Sequence, residues 1–156
     1  MARLNPGDQA PDLQLLDQHG KLVQLSDFKG RKLLLYFYPK ANTPGCTEQA
    51  CQIRDARQEL SDLGLAVVGV SPDAPSKQQK FYDKYALNFP LLSDQDHAVA
   101  QAYGVWGEKT MRGKKYLGVI RSSFLIGEDG KIIQSWYKIS PKDTVPRATQ
   151  ALAGTS

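Results

Sequence analysis

A chain of 156 residues, 41% hydrophobic and 23% charged, can bury one ordinary globular core, and the whole of it, 1–156, reads as a single domain. Two cysteines are too few for a disulfide-stapled scaffold and no apolar run approaches a membrane span. The start, Met1-Ala-Arg-Leu-Asn-Pro-Gly7, lacks the apolar stretch of a secretory signal, so a cytoplasmic protein with no membrane partner is expected.

The formal charge of +4 does not point to nucleic acid, because Lys and Arg are scattered among acids. The densest basic cluster, Arg112 to Lys115, is short, lacks stacking aromatics and reads as a solvated loop.

From the N-terminus, apolar segments at 13–16 and 21–25 flank the turn-rich Asp17-Gln-His-Gly20 and predict a hairpin ahead of the main core. Residues 33–38 form a continuous apolar and aromatic run closed by Pro39, the pattern of a strand buried on both faces. Thr43 then has an N-cap side chain, Pro44 suits the first helical position, and an unpunctuated helical stretch runs toward Leu63 and Gly64. Leu65 to Ser71 reads as a second buried strand, and 76–86 as a helix with Phe81, Tyr82 and Tyr85 on its apolar side.

Pro90-Leu-Leu-Ser-Asp94 leads to a short helix near 95–103, with Ser93 and Asp96 at approximate capping-box spacing. Residues 119–126 and 131–137 flank Gly127-Glu-Asp-Gly130, where Asp129-Gly130 is a hairpin signal. A final helix runs from Pro141 or Lys142 to Leu152, and 153–156 reads as a frayed end. The core order is β-α-β-α-β-β-α, with an extra hairpin in front and an extra helix in the middle. Parallel crossovers followed by an antiparallel hairpin predict an α/β fold with a mixed sheet covered by helices.

The chemistry concentrates at Cys46, in the first turn of the helix that begins after Thr43. Free backbone N–H groups and the positive end of the helix dipole favour an anion there, so the expected species is a nucleophilic thiolate. Helical spacing puts Cys46, Ala50, Ile53 and Leu60 on one core-facing stripe and leaves Cys51 off it. In an intact helix, five residues separate the two Cα atoms by about 8 to 9 Å, beyond the roughly 7 Å limit for a disulfide.

The element order, with a cysteine opening the first core helix, resembles the thioredoxin fold. Pro39-x-x-x-Thr43-x-x-Cys46, set in Phe37-Tyr-Pro-Lys-Ala-Asn-Thr-Pro-Gly-Cys-Thr47, is similar to the signature of the peroxiredoxins, in particular the Q-type or bacterioferritin-comigratory subfamily. Gly7-Asp-Gln-Ala-Pro-Asp12, Leu91-Leu-Ser-Asp94, Gly104-Val-Trp-Gly-Glu108 and the segment from Arg121 to Ile126 extend the resemblance along the chain.

The resemblance implies reduction of hydrogen peroxide or an alkyl hydroperoxide, with Cys46 as the nucleophile that passes through a sulfenic acid. Thr43, the Gly45 and Cys46 amides and Arg121 would hold the peroxide in line. Pro39 would shape and shield the pocket. Cys51 would resolve the sulfenic acid as an intramolecular disulfide, which requires the first helical turns to unwind. Thioredoxin or a related dithiol would then reduce the disulfide, with no cofactor and with the chain acting as a monomer. Many peroxiredoxins carry a glutamate three residues after the nucleophile; here Gln49 stands there, and no catalytic role is assigned to it.

Other readings stay open. Cys51 also reads as a structural thiol, with resolution by another thiol; Arg121 as half of an ion pair; and Trp106 as pocket mouth or packing. His19 and His97 are expected to be uninvolved, and Cys-x4-Cys without a second ligand pair is weak as a metal site. A thioredoxin-like disulfide oxidoreductase would need Cys-x-x-Cys and a proline where Arg121 stands. A redox-sensing binding module is the remaining alternative.

Overall fold

The structure, a computed structural model, describes residues 3–153. Residues 154–156 of the expected frayed end lie outside the described residues; Ala153 belongs to the last helix.

In chain order the elements are β1 (Gln14–Leu16), β2 (Leu22–Gln24), β3 (Lys32–Phe37), α1 (Pro44–Asp62), β4 (Leu65–Ser71), α2 (Pro75–Lys84), β5 (Leu91–Ser93) and α3 (Ala98–Ala102). They continue as β6 (Trp106–Met111), β7 (Lys114–Val119), β8 (Ser122–Ile126), β9 (Ile132–Trp136) and α4 (Thr144–Ala153). Among the described residues, seven strands form one mixed sheet in the order β2-β1-β5-β4-β3-β8-β9, while β6 and β7 pair only with each other. The expected α/β thioredoxin-like fold with an N-terminal hairpin is what the chain adopts: β3, β4 and β5 are parallel, and β8 and β9 antiparallel.

The apolar run of β3 serves two cores because successive side chains point to opposite faces. Leu33, Leu35 and Phe37 pack with Val68, Phe124 and Tyr103 on the face covered by α3. Leu34, Tyr36 and Tyr38 pack on the other face with Cys46, Ala50, Ile53 and Leu60 of α1, and with residues of α2 and α4. The predicted α1 stripe is therefore buried as expected, and Cys51, off the stripe, is half-buried.

Gly69 of β4 lies beside Tyr36 in register, and a Cβ there would sit 2.9 Å from the Tyr36 ring and hydroxyl. Gly69→Ala is expected to lower stability by about 1–3 kcal/mol through this overpacking; an unchanged thermal midpoint would show that the ring yields freely.

Several local expectations change. The basic cluster 112–115 is not a loop but the tip of the β6–β7 ribbon, whose two-residue turn places Arg112 and Gly113 at positive φ, 52° and 78°. That turn suits glycine at both places, and the ribbon is mostly exposed, so neither turn chemistry nor alternation announced it. The strand expected over 119–126 breaks at Ile120 and Arg121, whose backbone groups bond to Val105 and Ile139 instead.

The capping box expected from Ser93 and Asp96 is replaced by Asp94, which accepts from the Val99 and Ala100 amides at 3.2 and 2.8 Å. The helix itself is shortened to five residues behind His97, at φ 63°.

Candidate active site

Two chain segments converge because Phe37 of β3 pairs antiparallel with Ser122 of β8. Arg121, one residue before β8, therefore stands over the end of β3, where the chain leaves for α1. The connecting loop is pinned at several points: Tyr38 N donates to Val70 O at 3.0 Å, and Ala41 N to Asp73 Oδ2 at 2.7 Å. Asn42, at φ 63°, accepts from Tyr85 OH at 3.2 Å. Pro39 sits half-buried at the start of this loop.

Cys46 is 1% exposed in the first turn of α1, with its sulfur 3.4 Å from Arg121 Nη2. Arg121 pairs with no carboxylate among the described residues; Nη1 donates to Gln49 Oε1 at 2.6 Å. The guanidinium also lies against the backbone at Gly45, where a Cβ would be 3.2 Å from Nη2. The first backbone bond of α1 runs from Thr47 N to Thr43 O at 2.8 Å, so the Gly45 and Cys46 amides precede it as free donors of the helix start. Of the expected residues, Gly45, Cys46 and Arg121 thus meet at one sulfur, with Thr43 at the cap position of the same turn.

Thr43 occupies the N-cap position but makes no capping bond. Its hydroxyl donates to Lys40 O at 2.8 Å, which commits the proton and leaves the oxygen lone pairs to accept. The expectation of a side-chain cap is corrected on this point.

Gln49, given no role on sequence grounds, is fully buried and bridges the site: besides accepting from Arg121, it donates from Nε2 to Thr144 Oγ1 at 2.8 Å. Its place three residues after Cys46 was a signal, but Thr144 lies 95 positions away and nothing in the sequence joins the two. Lys109 was also missed. Its Nζ donates to Val119 O at 2.9 Å, two residues before Arg121. Burial, followed by the nearby Arg121 charge, lowers its pKa, as expected of an ammonium drawn out of water beside a second cation.

Beneath the sulfur, Tyr36 and Tyr38 stack at 5.5 Å, and Tyr38 OH donates to Gln78 Oε1. Burial above all pushes both phenols up, so neither exchanges a proton near neutral pH. Trp106 stacks on His97 at 3.8 Å, which favours packing over a pocket-mouth role. Cys51 is free, and α1 runs unbroken through both cysteines, so the separation of about 8 to 9 Å given by helix geometry applies. Among the described residues no three His, Cys, Asp or Glu side chains are grouped to hold a metal ion, and no helix is long and apolar enough to cross a membrane.

Comparison with known proteins agrees with this arrangement. Residues 6–135 match the AhpC/TSA family. The chain is 57% identical over 143 residues to a putative peroxiredoxin bcp of Haemophilus influenzae, covering 92% of each protein. It is 47% identical over 150 residues to peroxiredoxin Bcp of Bacillus subtilis, covering 96% of each. Among solved structures, the bacterioferritin comigratory protein of Xanthomonas campestris, described for its alkyl peroxide reduction activity, superposes with a TM-score of 0.86 at 34% identity, covering 92% of this chain and 91% of that one. A buried cysteine under an arginine at the start of the first core helix, on a fold and sequence shared with these proteins, places the chain in the AhpC/TSA family as a Bcp-type peroxiredoxin.

Proposed function

We propose that this peroxiredoxin reduces hydrogen peroxide and alkyl hydroperoxides at Cys46, and that Cys51 closes the cycle. The observation that carries the reading is Arg121 Nη2 at 3.4 Å from the Cys46 sulfur, beside the free amides of a helix start. The Cys46 thiolate attacks the nearer peroxide oxygen and the O–O bond breaks. Sulfur is oxidised by two electrons to the sulfenic acid, and the departing oxygen takes a proton to leave as water or an alcohol. Arg121 and the Gly45 and Cys46 amides stabilise the charge that moves onto oxygen, while a lone pair of Thr43 accepts from the peroxide hydroxyl. Pro39 shields the entrance.

The thiolate of Cys51 then attacks the Cys46 sulfur and the S–S bond forms as the S–O bond breaks; the departing hydroxyl takes a proton from solvent and leaves as water. The α1 geometry requires the first turns to open for this step. Thioredoxin or a similar dithiol returns both thiols. The disulfide is internal, so a monomer suffices, and two free thiols suit a reducing cytoplasm.

One equivalent of peroxide added to the reduced chain is expected to give an intramolecular disulfide by mass spectrometry and to lower hydrogen-exchange protection over residues 43–53. Cys51→Ser is expected to stop at the sulfenic acid, trapped by a carbon nucleophile such as dimedone. Loss of peroxide with both thiols retained would overturn the reading, and unchanged protection in the presence of the disulfide would overturn the opening step.

A further inference from the structure

We propose that Thr144, the first residue of α4, is a positioning residue that acts on Cys46 through Gln49 and Arg121, and that the same bond latches the start of α1 shut. The inference rests on the peroxidase reading above. Three contacts in series carry it: Thr144 Oγ1 accepts from Gln49 Nε2 at 2.8 Å, Gln49 Oε1 accepts from Arg121 Nη1 at 2.6 Å, and Arg121 Nη2 lies 3.4 Å from the sulfur. Thr144 is 1% exposed and Gln49 fully buried, so neither partner is open to bulk water.

The chemistry of the amide makes the order of these contacts directional. Arg121 has donors only, so the group facing it must be the Gln49 carbonyl. An amide that turns its carbonyl to Arg121 turns its NH2 the other way, where a buried donor needs an acceptor. Thr144 is that acceptor. Without it the NH2 has no partner in this orientation and the carbonyl is no longer held toward the guanidinium. The residue therefore fixes the amide orientation, and through it the fork of Arg121.

The second consequence is mechanical. The bond joins the second turn of α1 to the start of α4, and Pro141, in the turn before α4, packs near Gly45: a Cβ at Gly45 would lie 3.7 Å from Pro141 Cγ. The C-terminal segment thus grips the turns that must open before Cys51 reaches Cys46. Loss of the grip weakens the closed form while it disturbs the attack geometry. A relay through Thr144 therefore predicts opposite changes in two successive steps.

Rapid mixing of the full-length reduced chain with hydrogen peroxide separates those steps, with sulfenic acid formation followed first and disulfide closure second. For Thr144→Val the second-order rate of Cys46 oxidation is expected to fall about tenfold, less than the roughly 10²-fold that a full 1 Å misplacement of a reacting group costs. Disulfide closure is expected to speed up roughly three- to tenfold, the weight of one lost hydrogen bond on the opening equilibrium. Thr144→Ser keeps the acceptor and is expected to restore both rates. Gln49→Met combined with Thr144→Val is expected to oxidise no more slowly than Gln49→Met alone, because the effect runs through Gln49.

Should Thr144→Val not fold, Thr144→Ala decides by the same two rates. Native values for both rates, or both rates falling together, would overturn the proposal while leaving the peroxidase reading intact. If instead the native chain leaves Cys46 unoxidised, the peroxidase reading fails and the proposal fails with it.

Discussion

Cys46→Ser is expected to abolish peroxide reduction, with the rate constant for the fast reaction falling on the order of 10⁴-fold or more, the scale seen when a nucleophile is removed. The hydroxyl is close in size to the thiol and fits the same 1%-exposed site, so the fold is expected to persist. What is lost is the thiolate: an alcohol does not ionise near neutral pH even with an arginine at its side, and an oxygen nucleophile has no sulfenic acid chemistry to follow. The measurement is peroxide consumption over the first turnover at equal protein concentration. Undiminished consumption by the variant would move the chemistry away from this site altogether.

Arg121→Met is expected to reduce the same rate constant roughly 10²- to 10³-fold, as removal of a single donor aimed at developing charge does elsewhere. Methionine covers much of the same apolar stem but offers no donor to the sulfur or to the departing oxygen. The substitution also leaves the buried Gln49 carbonyl without its 2.6 Å partner, which is expected to cost about 1–3 kcal/mol of stability. Thermal unfolding must accordingly be measured beside the kinetics. Arg121→Lys keeps the charge but not the fork that reaches Gln49 and Cys46 together, so it is expected to recover only part of the rate. A rate for Arg121→Met within threefold of the native chain would leave the arginine a packing role only.

The place of Cys46 and its helix were legible in the sequence because their signals are local. Pro44 at the helix start, the stripe Cys46, Ala50, Ile53 and Leu60, and the apolar run of β3 all follow from short-range periodicity. Arg121 was legible only through the motif resemblance; its meeting with Cys46 depends on β8 pairing with β3, across 75 residues of chain. Gln49 was passed over because its charge-free side chain promised no chemistry, yet burial turns its amide into a fixed bridge.

Thr43 shows the reverse error. Its type and place suggested a cap, but the Lys40 carbonyl competes for the hydroxyl, as short polar side chains near turns commonly find backbone partners. The β6–β7 ribbon escaped notice because an exposed strand pair carries no burial pattern, although its Lys109 reaches back to Val119 beside the site.

Arg121 is held by two partners of unequal permanence. The Gln49 carbonyl is present in every redox state, whereas in the proposed cycle a thiolate charge on sulfur lasts only until the peroxide oxygen is transferred. A sulfenic acid is neutral, so the ionic share of the grip between β8 and α1, the stronger share of a charge-assisted contact, disappears with the first chemical step. On the proposed cycle, the helix start would lose this electrostatic contact just before the step in which Cys51 needs it to unwind. On that reading, turnover times its own conformational release, and the substrate, by discharging the sulfur, acts as the trigger.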